Sequence, residues 1–483
     1  MAGRLICVMA GRNRSPQALA MLSNPAFDAS LLRRYDRPGP RYTSYPTTPQ
    51  FSMDFDERAL REVIRESNGD PIPRPLSIYV HVPFCLSPCF YCGCNRIITR
   101  DRSRAETYLA RLYREIAMTA TMFDRDREVV QLHFGGGTPN FLSTTQLRNV
   151  VDTLHRHFHF ADRDDRDLSI ELDPRSLTAG DVAELAAIGF NRASLGVQDF
   201  DPAVQAAVNR EQTVEETLAI IEACRRHGLR SVNVDLIYGL PKQTPAGFAR
   251  TLDTVITARP DRLAVYSYAH LPELFKPQRR VDAAELPAPD VKLALLQLAI
   301  EKLTAAGYIY IGMDHFALPD DDLALAQARG GLHRNFMGYT THADSDLIGI
   351  GVSAISHIGA SFSQNPRDLT TWQSAIDEDR LPVFRGMHLS DDDQLRADLI
   401  QHLMCEGEIP VSALERRYTI DFAAYFKDPL ARLQPLIDDG LVRVEMGRIV
   451  ATSQGRLLLR NIAMCFDRYL ELPGSLAKFS RAI

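Results

Sequence analysis

From residue 76 onward the chain alternates short β-branched apolar runs with longer amphipathic stretches, and this alternation limits the possible folds more than any other feature. The apolar runs are LSIYVHV from Leu76, VVQLHF from Val129, LSIELD from Leu168, RASLGVQ from Arg192, SVNVDLIYG from Ser231, RLAVYSYA from Arg262 and YIYIGMDHF from Tyr308. They are short and nearly continuously apolar, as strands buried on both faces are. Helical patterns such as AETYLARLYREIAMTATMF and TVEETLAIIEACRRHG separate them. Regular alternation of this kind predicts βα units around a parallel sheet, an α/β fold in the form of a TIM-like (β/α) barrel or partial barrel.

A chain of 483 residues has room for one such barrel with attachments at either end. Past Leu389 the pattern changes: SDDDQLRADLIQHLMCEG reads as a helix capped by Ser390, more helical sequence follows, and a short hairpin turns at Gly447. Helices followed by a hairpin resemble a winged-helix module. The net charge of -6 gives no electrostatic footprint for nucleic acid, so this mainly helical domain is expected to pack against or cover the barrel rather than bind DNA. The longest apolar stretch, DLIGIGVSAISHIGA from Asp346, is interrupted by Ser and His and falls short of a bilayer span, so no membrane insertion is expected. The first 27 residues carry Arg4, Arg12 and Arg14 and no acid, a weak likeness to a transit peptide. A disordered or alternative-start extension over 1–28 is the favoured reading, with Met9 and Met21 nearby.

Eight cysteines are too few for a disulfide scaffold, but four of them fall together directly after the first predicted strand. In YVHVPFCLSPCFYCGCN, Cys85, Cys89 and Cys92 have the spacing CxxxCxxC and Cys94 follows, whereas Cys7, Cys224, Cys405 and Cys465 are scattered and read as structural thiols. Three thiols do not pair evenly in disulfides, and no distant second ligand pair supports a zinc site. An iron-sulfur cluster with three protein thiolates and one iron open to a reactant fits this spacing better. Cys94 is left as a spare ligand, a neighbouring thiol or a small packing residue. Phe84, Phe90 and Tyr91 either shield such a cluster or pack as ordinary core. The run Gly135-Gly136-Gly137-Thr138-Pro139 ends the second strand, where a barrel enzyme receives polar ligands and where a structural tight turn is equally at home. Glu171 and Asp235 sit within strands, and buried carboxylates there favour a ligand site over an incidental ion pair. Arg210, in NREQ, reads from its own surroundings as a surface residue.

CxxxCxxC after a first barrel strand resembles the radical S-adenosylmethionine enzymes. CFYCGCN, with RYTSYPT upstream, is similar to the oxygen-independent coproporphyrinogen III oxidases among them. QLHFGGGTP, IELDPR, GFNRASLGVQDF, DLIYGLPKQTP, LHRNFMGYTT and RNIAMCFDRYL extend the likeness from about Leu31 to the C-terminal FSRAI. The resemblance implies a 4Fe-4S cluster on Cys85, Cys89 and Cys92 and two molecules of S-adenosylmethionine. The first would meet Tyr79, Gly136 and Glu171; the second would meet Tyr91, Gly137, Thr138, Gln198, Arg210, Asp235, Ala269 and Ile355. Tyr79 and Cys94 would take part in catalysis. The implied reaction converts two propionates of coproporphyrinogen III to vinyl groups, giving protoporphyrinogen IX, through a 5'-deoxyadenosyl radical. Arg41, Arg334 and Phe336 are the candidates for contacting this anionic substrate. One departure is visible: Met337 stands where the family commonly has Gln, and a thioether cannot supply an amide's donors.

The expected organisation is an extension over 1–28, a segment covering the active site over 29–75, a barrel over 76–388 and a helical domain over 389–483. The likeness further implies a cytoplasmic monomer that takes electrons from a flavodoxin- or ferredoxin-like donor and passes them to an acceptor the sequence does not identify. The alternative functions are a heme-binding chaperone of the same superfamily, disfavoured by the CGCN extension and Arg210, and a zinc-stapled interaction protein.

Overall fold

A computed structural model describes residues 24–163, 165–471 and 479–481. Six apolar runs form strands: β1 Leu76–Val82, β2 Glu128–Gly136, β3 Asp167–Leu172, β4 Arg192–Gln198, β5 Ser231–Tyr238 and β6 Arg262–Ser267. Each lies parallel to its successor, in the order β1-β2-β3-β4-β5-β6. Helices such as Ser103–Ala120, Thr144–His157 and Val214–Arg226 fill the crossovers. Burial on both faces explains the apolar runs: of the β1 residues only Tyr79 is not fully buried.

YIYIGMDHF corrects the expectation of one continuous strand. It breaks into β7 Ile309–Gly312 and β8 His315–Ala317, which pair antiparallel, and β8 pairs antiparallel with β6. Positive φ at Gly312 (150°) and Met313 (53°) reverses the chain at GMDH, where the sequence interrupts the apolar run. On the other side of β1 lies β9 Asp346–Ile350, parallel to it and drawn from the DLIGIG stretch. Antiparallel β10 Ile355–Ile358, β11 Ser361–Gln364 and β12 Arg385–His388 follow. The sheet order is therefore β7-β8-β6-β5-β4-β3-β2-β1-β9-β10-β11-β12, with no ladder joining its two edges among the described residues. This is a partial barrel.

Among the described residues the two largest of four apolar clusters hold the barrel and the C-terminal part. The larger lies between sheet and helices and includes Phe84, Phe134, Phe248 and Trp372. The second joins Leu32, Tyr42 and Tyr45 to the C-terminal Leu399, Phe426, Ile462 and Phe466. Within that C-terminal part, Ser390 and Asp393 form a reciprocal cap on the helix Asp391–Glu406. The helices Val411–Tyr418, Phe422–Tyr425 and Lys427–Asp438 follow, and β13 Glu408–Ile409, β14 Val442–Glu445 and β15 Arg448–Ala451 make a sheet ordered β13-β15-β14. The β14–β15 turn carries Gly447 at φ 74°, as the sequence predicts; β13, only two residues long, gives no sequence signal. Among the described residues no helix is long and apolar enough to cross a membrane.

Candidate active site

The segment after β1 is pinned by contacts from distant parts of the chain. Phe90 N–H donates to the Val208 carbonyl (2.9 Å), Asn209 Nδ2 to Pro88 O (2.6 Å) and Gln278 Nε2 to Tyr91 O (2.9 Å). Arg96 donates to the carbonyls of Cys89, Cys92 and Cys94, and Ile97–Ile98 pairs with Phe84–Cys85. Cys85, Cys89, Cys92 and Cys94 consequently line one cavity of about 340 Å³, at the C-terminal ends of β1 to β5. That is the end of a βα barrel where chemistry sits.

Three of these sulfurs each receive a hydrogen-bond donor: Thr138 Oγ1 on Cys85 (3.2 Å), Arg210 Nη1 on Cys89 (3.4 Å) and Cys94 N–H on Cys92 (3.4 Å). Donors to sulfur stabilise thiolates and are the outer support that iron-sulfur ligands need. The Cys94 thiol, bonded to Cys92, lowers the Cys92 pKa to about 6, while burial pushes Cys85 up to about 11. Among the described residues no three His, Cys, Asp or Glu side chains converge as ligands of a single metal ion. Three thiols spread around a roomy cavity, each with its own donor, fit a multi-iron cluster and do not form a zinc staple.

The glycine run is required by its neighbours. A Cβ on Gly136, whose φ is +114°, would lie 2.5 Å from the His81 ring, and one on Gly137 would lie 2.8 Å from the backbone of Pro83 and Phe84. The freed Gly136 N–H donates to Glu171 Oε2 (3.3 Å), whose other oxygen lies 3.4 Å from His133 Nε2. Burial raises the Glu171 pKa, but the His133 contact and the Gly136 N–H outweigh it and hold the carboxyl below its usual range. Asp235 goes the other way: burial first, then the Glu171 charge, push it up to about 7 against donors from Asn233 Nδ2 (2.8 Å) and Ser194 Oγ (3.2 Å). Two carboxyl groups shifted in opposite directions thus share one cavity, as perturbed titratable groups do at functional sites.

Gly136, Gly137, Thr138, Tyr91, Glu171, Gln198, Arg210 and Asp235 all line the cysteine cavity. Gln198 does so from a left-handed backbone (φ 70°) at an irregularity in the β4–β5 ladder, a strained conformation of the kind that marks functional positions. Arg210 corrects the reading made from its own surroundings: it is buried, bonded to Gly196 O and Cys89 Sγ and paired with Asp173 at 3.4 Å. Tyr79 lies beside the cavity, its hydroxyl 3.1 Å from His81 Nδ1 and its ring stacked on His133. Ala269 lines a different cavity, although Gln278 links its carbonyl to that of Tyr91. Ile355, the first residue of β10, packs its backbone over Gly349 and lines neither of these cavities.

The substrate candidates are placed differently. Arg334 is buried over the Tyr339 ring, donates to the Arg41 carbonyl (2.5 Å) and lines none of the cavities described. Phe336 meets Phe362 edge to face, and its neighbour Met337 lines an inner cavity of about 160 Å³ that shares Glu171, Ser194 and Asp235 with the first. Arg41 is ion-paired with Asp314 and stands over the Tyr266 ring. Sequence reasoning missed Asp173 and Arg175, which pair at 2.6 Å beside Cys89; their place at the C-terminal end of β3 is the signal that could have found them. It also missed Gln278, which no local pattern marks.

Comparison with known proteins agrees with this geometry. The Radical SAM superfamily model matches residues 79–255 and the HemN C-terminal domain model matches residues 389–458. The chain is 52% identical to the oxygen-independent coproporphyrinogen III oxidase of Pseudomonas aeruginosa, over 96% of this chain and 100% of that protein. It is 48% identical to the enzyme of the same name from Escherichia coli, over 95% and 98%. A solved structure titled as coproporphyrinogen III oxidase (HemN) from Escherichia coli, a radical SAM enzyme, superposes with a TM-score of 0.88 at 47% identity, covering 92% of this chain and 100% of that one. With three thiols on one cavity rim, a glycine-lined cradle and full-length relatives, the chain belongs to the oxygen-independent coproporphyrinogen III oxidase family of the radical SAM superfamily.

Proposed function

We propose that this protein oxidatively decarboxylates two propionates of coproporphyrinogen III to vinyl groups, giving protoporphyrinogen IX. The observation that carries the reading is the single cavity in which Cys85, Cys89 and Cys92, each with its own donor, face Glu171, Asp235 and Arg210. Cys85, Cys89 and Cys92 would hold a 4Fe-4S cluster. With S-adenosylmethionine bound, the cluster would supply the one electron that splits it into methionine and a 5'-deoxyadenosyl radical, the hydrogen-abstracting species that decarboxylation of a propionate to a vinyl group and CO2 calls for, the remaining electron leaving to a separate acceptor.

The chain's own residues bind and orient. Glu171, held charged, accepts from a hydroxyl or an amine, and Asp235 with Asn233 and Ser194 suits a ribose diol. Arg210 and Arg175, close together through Asp173, present fixed guanidinium forks suited to a methionine carboxylate. Rigid placement is the main contribution, since a radical reacts with whatever carbon is nearest. We assign Tyr79, Gly136 and Glu171 to one S-adenosylmethionine and Tyr91, Gly137, Thr138, Gln198, Arg210, Asp235, Ala269 and Ile355 to a second, with Cys94 acting on Cys92. An external one-electron donor protein, a separate electron acceptor, a monomeric state and a cytoplasmic setting complete the proposal.

The test is anaerobic turnover of reconstituted protein with a reductant, counting 5'-deoxyadenosine against CO2 and protoporphyrinogen IX. Formation of product with 5'-deoxyadenosine is expected; tight heme binding with no tetrapyrrole conversion would replace this reading with the chaperone one.

A further inference from the structure

A cavity of about 290 Å³, whose wall includes Ala269 and Arg41, lies next to the reaction chamber. It is built at the C-terminal end of β6 from three distant parts of the chain: Arg41 on the N-terminal side, Tyr238 and Lys292 in the barrel, and Arg460 and Arg481 at the C-terminal end. Among the described residues its lining holds four Lys or Arg side chains and one carboxylate, Asp314, in a protein whose net charge is -6. Asp314 is taken by Arg41, and Asp36 by Arg481 at 2.7 Å. Arg460 donates to the backbone carbonyl of Pro40 (2.9 Å).

Lys292 stands apart. Its ammonium donates to the Tyr268 carbonyl (3.0 Å) and lies 6.0 Å over the Tyr238 ring, and among the described residues it pairs with no carboxylate. An ammonium has three donors, and a half-buried one with a single acceptor calls for an anion. The backbone is shaped around it: Gly239, at φ +87°, leaves room where a Cβ would come within 3.1 Å of Lys292 Cε. The cavity also communicates with the chemistry. Arg41 stands over Tyr266, which lines the inner cavity beside Glu171 and Asp235, and Gln278 ties Ala269 on this cavity's wall to Tyr91 in the cysteine loop.

Its volume suits carboxylate-bearing arms rather than four pyrrole rings. We propose that this cavity receives the propionates that are not decarboxylated, with Lys292 as their carboxylate-binding residue, so that the opposite side of the macrocycle faces the radical. The inference rests on the function proposed above and adds the place where the substrate is anchored. Holding a charged arm at a fixed distance from the chamber would also decide which propionate is presented.

The test is binding of coproporphyrin III, the stable oxidised form carrying the same four propionates, to the cluster-loaded full-length protein, followed by fluorescence quenching. Lys292→Met is expected to weaken binding roughly tenfold, as loss of a charge-assisted contact does, and to raise KM for coproporphyrinogen III. Lys292→Arg should restore most of the affinity, and the tetramethyl ester of coproporphyrin III should not distinguish Lys292→Met from wild type. Iron content and Tm matching wild type establish that the variant is folded. Wild-type turnover together with equal coproporphyrin III affinity in Lys292→Met overturns the anchoring site alone. Absence of wild-type turnover overturns the reading on which it rests.

Discussion

At Gly136 a single methyl group decides whether the cavity can form. A Cβ there would enter the His81 ring at 2.5 Å, and the φ of +114° disfavours any side chain. Gly136→Ala should lower stability by about 1–3 kcal/mol and reduce iron bound per chain after anaerobic reconstitution. Unaltered Tm and iron content would show that the cradle yields easily. Asp235 gives a pH signature. Its carboxyl is raised from 3.8 to about 7 by burial and then by Glu171, so the folded state keeps a proton that the unfolded chain has lost. This group's contribution is complete below the ordinary carboxylate range and disappears as the pH rises through about 7. In urea unfolding of the metal-free protein, Asp235→Asn should therefore gain on wild type at pH 8 and not at pH 5. An equal offset at both pH values would remove Asp235 as the source. At Arg210 the local sequence misleads: a side chain read as surface is buried at the thiols.

Among the elements, the short helical turn Lys276–Arg280 acts as a clamp on the cysteine loop. Gln278 is buried and bonds the carbonyls of both Tyr91 and Ala269, Arg280 stands over Phe90, and the Phe275 ring lies about 3 Å from where a Gly93 Cβ would be. Gln278→Leu leaves those carbonyls unsatisfied and should cost about 1–3 kcal/mol, with faster loss of iron to a chelator. Chelation at the wild-type rate would reduce the turn to packing. The barrel strands themselves were legible because burial on both faces leaves a local record, a short β-branched run. The β7–β8 reversal was not, because the turn at Gly312 and Met313 is too short to separate two runs that read as one strand.

On the scale of the whole molecule, the segment before the barrel belongs to two cores. Phe55, Leu60, Val63 and Ile64 pack on the barrel, whereas Leu32, Tyr42 and Tyr45 pack on C-terminal residues. Tyr42 Oη also donates to the buried Asp467 at 2.9 Å. Tyr42→Phe should lower the Tm by an amount corresponding to about 1–3 kcal/mol and separate the two ends of the chain before the barrel melts, visible as a split calorimetric transition. A single unshifted transition would deny that coupling. The sequence alone was enough for the parallel α/β sheet, the cysteine loop at its first strand and the cap at Ser390, because strand period, ligand spacing and capping are properties of neighbouring residues. Tertiary structure alone settled which charges meet. Arg41 pairs with the Asp314 carboxylate across 273 residues, and Arg334 donates to the backbone carbonyl of Arg41 across 293, so their surroundings are set by through-space partners. A charge is expensive to bury without a partner, and no local pattern says where in the folded chain that partner will come from.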